Sequence, residues 1–286
     1  MRRFRRLTQL LGMLCGNGYF SFFASQRIYA GQLKGFCLPF LNCYACPMAI
    51  FSCPIGSLQH FMAIRAIPLM LLGTLGLIGV LIGRLGCGWA CPFGLLQDLL
   101  YKIPSRKFHI FVPLTRLKYV ILVVLVIAVP FATGAPWFSK LCPYGTLTAG
   151  IPWVILNPRD PSTHQAAIAA ESIGALFAFK LIILGAFLAL FVMVKRPFCR
   201  TVCPLGAIFS LFNRFSAVQL SVSAQCRQCG ACRDQCPVDL QISENPESGE
   251  CIRCLNCTAC KNVSVELRPF GLKPRSVFEV KEKTYE

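Results

Sequence analysis

The sequence predicts an α-helical integral membrane protein, with about four spanning helices and further broken or re-entrant ones, followed by a small C-terminal α+β unit. Three observations carry that expectation. Of 286 residues, 55% are hydrophobic and 14% charged, where a soluble domain carries about 25% charge. Apolar stretches near the ~20-residue length that crosses a hydrocarbon core of about 30 Å recur through the first two hundred residues. From about residue 218 the chain turns polar and dense in cysteine. The expected division is therefore 1–217, a transmembrane part, and 218–286, a separate polar unit.

Four spans follow from apolar length. The first, roughly 7–25, carries Asn17 between two glycines in its middle. The second runs about 66–83, the third about 119–138 with a kink expected at Pro130, and the fourth about 172–194. The charged start "MRRFRR" is followed by no clear small-residue cleavage motif, so no secretory signal is expected.

The net charge of +17 does not read as a nucleic-acid footprint, because the basic residues flank apolar stretches. Arg2, Arg3, Arg5 and Arg6 precede span one. Six more, Arg84, Lys102, Arg106, Lys107, Arg116 and Lys118, lie between spans two and three, and Lys195, Arg196, Arg200 and Arg214 follow span four. The other connections hold only Arg27, Lys34 and Arg65, then Lys140 and Arg159. The positive-inside bias places both termini in the cytoplasm, with 26–65 and 139–171 facing outward.

Eighteen cysteines imply either disulfides in an oxidising compartment or metal ligation. In the polar unit, "CRQCGACRDQCP" sets Cys226, Cys229, Cys232 and Cys236 at the C-x2-C-x2-C-x3-C-P spacing of bacterial [4Fe-4S] sites, in which the fourth cysteine serves the other cluster. Three thiolates on one tight loop reach three corners of a cube, and the proline turns the chain towards the second. A second run, "CIRCLNCTAC", supplies Cys251, Cys254, Cys257 and Cys260, with a shorter last spacing and Lys261 in place of proline. That departure leaves Cys260 the least secure of the eight. Zinc knuckles are the alternative, though their C-x2-C pairs are separated from one another by longer gaps.

Four turns upstream share the form Cys-Pro-x-Gly, at 53–56, 91–94, 142–145 and 203–206. Proline suits the first position of a helix, since its missing N–H would be unpaired there anyway. The preceding cysteine then sits at the helix mouth, where free N–H groups and the dipole favour negative charge, and the glycine leaves space for a bulky inorganic cube. "CPIGSLQHFM" (53–62) and "CPFGLLQDLL" (91–100) align as an internal repeat. On the expected cytoplasmic side two C-x3-C-P motifs provide Cys87, Cys91, Cys199 and Cys203, the inner set. On the outer side Cys43, Cys46, Cys53 and Cys142 form a second set of four, the complement of one [4Fe-4S] cube. Disulfides remain an alternative for the outer set and zinc for the inner. Cys37 could replace an outer member, and Cys15 reads as a small buried hydrophobe.

Two further side chains are candidates. Lys180 inside span four balances a cluster or holds a quinone headgroup, unless the span starts later and Lys180 snorkels outward. His60, beside the outer motif, is a candidate proton acceptor for quinol chemistry; Asp98 holds the matching position in the repeat. His109 and His164 fall in connecting loops.

Two C-x3-C-P motifs on a membrane chain with two C-terminal ferredoxin motifs resemble the NapH family, with MauN and the polyferredoxin half of NosR as relatives. The resemblance implies a multi-pass protein of the bacterial inner membrane that moves electrons between the quinone pool and a partner redox protein, and it implies function for Cys87, Cys91, Cys199 and Cys203. The outer set is read from this sequence and not from the family. Three function classes stand: an electron conduit working with a separate oxidoreductase, an accessory protein exchanging electrons while a partner's cofactor or metal site is assembled, and a plain metal-binding or transport protein. Nothing in transport calls for two ferredoxin motifs.

Overall fold

The computed structural model describes residues 2–22, 28–156 and 174–267. Arg27, Arg159, His164 and the tail from 268 lie outside them.

Helix α1 (Arg2–Gly16) opens the chain and ends at a Gly16–Asn17–Gly18 turn. After a 3-10 turn at Gln32–Gly35 come α2 (Pro54–Ala63), α3 (Leu69–Ile82), α4 (Leu85–Trp89) and α5 (Pro92–Leu100). A long helix, α6 (Val112–Thr133), follows; its central turns at Leu122–Ala128 are π-helical, just ahead of Pro130. Then come α7 (Trp137–Leu141), α8 (143–156, π-helical over Thr146–Gly150), α9 (Ala175–Met193), α10 (Pro197–Thr201) and α11 (Pro204–Phe212). The C-terminal part is β1 (Val218–Val222), α12 (Ala231–Gln235), a 3-10 turn at Asn256–Ala259 and β2 (Val263–Leu267). Its strands pair antiparallel, with Leu220 opposite Val265.

The expectation of four spanning helices is not met. Among the described residues two helices are long and apolar enough to cross a membrane, α6 at 22 residues and α9 at 19. The approach to α6 stands beside the end of α9: Phe108, ahead of α6, bridges Val194, and the Lys107 ammonium donates to the Val192 carbonyl at 2.7 Å. The stretch read as span two is a helix of only 14 residues, about 21 Å at 1.5 Å per residue. Pro68 stands before it, and Gly83, at φ +57°, ends it with Arg84 next in line. The stretch read as span one is a 15-residue helix with four arginines at its start. Its exposed positions include Phe4, Leu7, Leu10, Leu11, Leu14 and Cys15, which the sequence suggested as a buried hydrophobe, whereas Arg5 and Gln9 are buried. An apolar run shows that a segment avoids water; it does not show that the segment is one unbroken helix.

All four Cys-Pro-x-Gly turns start a helix with proline in the first turn and cysteine at the N-cap, at α2, α5, α8 and α11. The core gathers around them: Phe40, Ile55, Phe93, Phe191, Phe198 and Phe209 are buried together. The C-terminal part packs on this core by backbone contacts. The Trp89 indole donates to the Arg253 carbonyl at 3.0 Å, and Asn213 donates to the Ser248 and Cys251 carbonyls at 2.8 and 3.0 Å.

Closest is the approach at Gly88, where an added Cβ would stand 2.4 Å from the Ile252 carbonyl oxygen and 3.6 Å from the Cys254 Cα. Neither backbone can yield cheaply. Gly88→Ala is therefore expected to lower stability by about 1–3 kcal/mol and to speed proteolytic release of the C-terminal part. Gly73→Ala, in α3 with nothing within 4 Å, should stabilise by about 0.5–1 kcal/mol. Thermal unfolding of both variants checks the contrast; equal effects would remove Gly88 as the joint.

Candidate functional site

All eighteen cysteines lie among the described residues, and each is free of a disulfide. Sixteen of them fall into four neighbourhoods.

In the inner set, Cys87 sits in α4 and Cys199 in α10, while Cys91 and Cys203 cap α5 and α11. All four are buried. The Gly206 N–H donates to the Cys203 sulfur at 3.3 Å, and the Gln97 amide donates to the Cys199 sulfur at 3.1 Å. Burial pushes the Cys91 thiol up to about 12, and the adjacent Cys199 and Cys87 add to the rise. Thiols held this high stay protonated until a metal displaces the proton, so metal binding here releases protons.

Two arginines close this set. Arg84 and Arg196 each stand three residues before the first cysteine of their arm, giving R-x2-C-x3-C-P-x-G twice. Each reaches across to the other arm. The Arg84 guanidinium donates to the Cys199 carbonyl at 3.2 Å, and that of Arg196 to the Cys87 carbonyl at 3.2 Å. A Cβ on Gly206 would lie 3.1 Å from Arg84, and one on Gly94 would lie 3.1 Å from Arg196. The motif glycines of α5 and α11 thus admit the opposite guanidinium, where the sequence suggested room for a cube. Arg84 is 0% exposed and Arg196 1%. Asp98 accepts from one terminal nitrogen and the Nε of Arg196, at 2.6 and 2.7 Å, and from Arg5 at 2.9 Å. Burial alone would raise the Asp98 carboxyl; Arg196, and then Arg5, hold it below the ordinary value. On the other arm Arg84 donates to Glu250, whose carboxylate also accepts from Lys118.

In the outer set, Cys43, Cys53 and Cys142 line a cavity of about 560 Å³ that Lys180 and Trp153 also border. Cys46 is buried next to them, and the Trp153 indole donates to the Ala45 carbonyl at 2.7 Å. Burial pushes the Cys43 thiol up to about 12, followed by the field of Cys142. Cys37 stands at the edge, its sulfur 3.4 Å from the Ser57 hydroxyl. The repeat glutamines play matching parts: Gln59 donates to Ser139 at 2.8 Å near Cys142, as Gln97 does to Cys199. Lys180 is the sixth residue of α9, close to its start, and half-buried. His60 is exposed, with its ring against Phe61 at 5.9 Å, and does not border the cavity. His109 is bound to Asp239 at 2.5 Å at the surface.

The two sets are separated by a layer of rings. Tyr144, the variable residue of Cys142-Pro-Tyr-Gly, lies within the electrostatic reach of both Cys91 and the outer Cys46, Cys43 and Cys53. Its ring meets Phe93, the variable residue of Cys91-Pro-Phe-Gly, at 5.1 Å between centroids, and Phe93 meets Phe198 at 5.0 Å.

In the C-terminal part Cys226, Cys229, Cys232 and Cys260 border one hollow, and Cys236, Cys251, Cys254 and Cys257 border the next, with Cys232 and Cys257 touching both. Cys260 therefore joins the first trio and Cys236 the second, the exchange that the Cys-x3-Cys-Pro spacing implies. Gln228, Arg253 and Leu255 have φ of +50°, +49° and +58°, left-handed residues inside the two loops. Non-glycine residues adopt this conformation at a cost, and such residues cluster at ligand clamps.

Among the described residues no three Cys, His, Asp or Glu side chains close on one point as a lone metal ion requires; a cube instead holds four thiolates at separate corners. Four cysteines per neighbourhood, apolar walls and buried guanidinium groups fit that demand. The Arg84 guanidinium lies in the field of Cys87, Cys199 and Cys203, so positive charge stands beside the inner set. Sequence reading missed Arg84 and Arg196 as site residues. The repeated R-x2-C spacing was the signal that could have found them.

A family described as a 4Fe-4S binding domain matches residues 65–110, 116–157 and 176–222. An uncharacterized protein of Methanocaldococcus jannaschii is 31% identical over 208 residues, covering 69% of this chain and 76% of that protein. The ferredoxin-type protein NapH of Escherichia coli is 24% identical over 188 residues, covering 61% and 58%. The methylamine utilization ferredoxin-type protein MauN of Methylobacillus flagellatus is 24% identical over 157 residues, covering 54% and 48%. The chain thus spans about half the length of the NapH and MauN relatives it matches, and no solved structure matches it. With its cysteine neighbourhoods in place, the chain belongs to the ferredoxin-type [4Fe-4S] electron-transfer proteins of the NapH, MauN and NosR kind.

Proposed function

We propose that this chain is a membrane-held electron conduit with four [4Fe-4S] clusters in a row, passing electrons between the quinone pool and a partner redox protein. One observation carries the reading: four groups of four cysteines stand in sequence, each neighbouring the next. The outer set (Cys43, Cys46, Cys53, Cys142) meets the inner set (Cys87, Cys91, Cys199, Cys203) through Tyr144 and Phe93. The inner set meets the second ferredoxin-type site where Gly88 receives the backbone of Ile252 and Cys254. That site (Cys236, Cys251, Cys254, Cys257) borders the last (Cys226, Cys229, Cys232, Cys260).

A [4Fe-4S] cluster supplies reversible one-electron transfer at a potential set by charge, sulfur hydrogen bonds and exposure. The chain's own residues set those conditions. The Gly206 N–H and the Gln97 amide donate to cysteine sulfurs, which favours the extra electron. Phe93, Phe198 and Phe191 keep water from the inner set, each 0% exposed. The cavity beside the outer cysteines, about 560 Å³ with Lys180 and Tyr144 on its wall, is within the usual range for small-molecule sites. Beyond a cube held at Cys43, Cys53 and Cys142, its Lys180 end suits a quinone headgroup, whose carbonyl oxygen would accept from Lys180. His60, exposed and away from this wall, is left out of that role.

The 1–217 part is held in the membrane by α6 and α9, with 218–286 as the ferredoxin-type part. Basic residues that are not buried crowd the start of α6 (Arg106, Lys107, Arg116) and follow α9 (Lys195, Arg214), while Lys140 and Arg159 alone fall in the connection between the two helices. That bias supports both chain ends on the cytoplasmic side.

Anaerobically purified protein is expected to contain about sixteen iron and sixteen sulfide per chain, four cubes' worth, and to be reduced by a quinol analogue. Lys180→Met should slow that reduction and leave the iron content intact. About eight iron, all lost on removing 218–286, would reduce the chain to a tethered two-cluster ferredoxin.

Replacing Cys87 or Cys199 by Ala should abolish the same EPR signal, and the double variant should lose no more than either single one, because residues of one unit are not additive. Loss of two different signals would mean that each arm holds a centre of its own.

A further inference from the structure

Resting on the four-cluster reading, we infer that two buried cation–carboxylate–cation triads, exchanged between the arms of the inner set, fix that centre's reduction potential. One is Arg84–Glu250–Lys118 and the other Arg196–Asp98–Arg5. Their members come from remote parts of the chain. Asp98 lies in the last turn of the helix that Cys91 caps, yet it binds Arg196 of the opposite arm. Glu250 immediately precedes Cys251, so the C-terminal part completes the first triad.

The charges match the task. Four thiolates around a dicationic cube leave about two net negative charges, and isolated buried charge is costly in an interior of low dielectric. Each triad joins two cations to one carboxylate and so carries one net positive charge. Both arginines act at the cysteines themselves: Arg84 is in the field of Cys87, Cys199 and Cys203, and Arg196 in that of Cys199 and Cys91. The carboxylates orient the guanidinium groups and temper their charge. They are positioning residues, since neither carboxylate touches a cysteine sulfur. Fixed positive charge favours the reduced state, which gains one more negative charge. Removing an arginine should therefore lower the potential, and removing a carboxylate should raise it.

The triads also account for buried polar groups that would otherwise be unfavourable. Arg84, Lys118 and Arg196 are almost completely enclosed, and each is paired to a carboxylate.

The test is an EPR-monitored redox titration of the full-length, iron-loaded protein, following the signal that Cys87→Ala and Cys199→Ala both abolish. Arg84→Met and Arg196→Met are expected to shift its reduction equilibrium at least tenfold towards the oxidised form, 59 mV for one electron. Glu250→Gln and Asp98→Asn are expected to shift it in the opposite direction. Arg84→Lys keeps the charge and should stay near the unaltered protein. If the methionine variants fail to assemble, the two carboxylate variants decide the question, since a merely structural loss would not raise a potential. Shifts of one sign in all four variants, or none in this signal, would overturn the triads' role. Absence of the signal from the unaltered protein would overturn the four-cluster reading itself.

Discussion

In the proposed inner cluster, four thiolates gathered away from water carry charge that the surrounding chain has to balance, and the ion pairs of the inner fold meet that requirement. A buried cation cannot simply be added, because it too has lost its water. Here each guanidinium is paired with a carboxylate and aimed across the set at the backbone of the other arm. The exchange ties α4 and α5 to α10 and α11. It also demands glycine at 94 and 206, where a Cβ would press on the incoming arginine. The same arrangement fastens the C-terminal part, through Gly249 and Glu250 on Arg84.

From this centre the remaining groups are placed by short contacts. Tyr144 and Phe93 occupy the same position in their respective turns, and both turns start helices, so their rings meet between the outer and inner sets. Gly88 lets the Ile252–Cys254 backbone come against the inner set from the opposite direction. The proposed electron path thus uses features that each turn brings with it: a sulfur at the helix mouth, a side chain at the next position but one, and a glycine that admits a neighbour.

The sequence made the helix starts legible, because proline fixes the first turn and places cysteine at its cap. It also made the pairing of Cys236 with the second ferredoxin trio legible, through the proline that follows. Spans one and two were misread for a physical reason. Hydropathy averages over Asn17, Pro68 and Gly83, but the backbone stops at each of them. The arginines were misread in another way. Arg84, Lys118 and Arg196 counted only as charges flanking apolar stretches, yet all three are buried at ion pairs. Composition and spacing give a charge but not its partner, and Glu250 lies 166 residues from Arg84 along the chain. His60 shows the converse: its place beside a motif suggested a role, while the helix turns it outward.

The central claim is that iron occupies the membrane part of the chain as well as the ferredoxin-type part. Anomalous diffraction at the iron edge, from anaerobically grown crystals of the full chain, tests it most directly. The account predicts four separate iron peaks in a row, one enclosed by Cys87, Cys91, Cys199 and Cys203 between Arg84 and Arg196. Two peaks confined to residues 218–267, with no iron at those four cysteines, would contradict it.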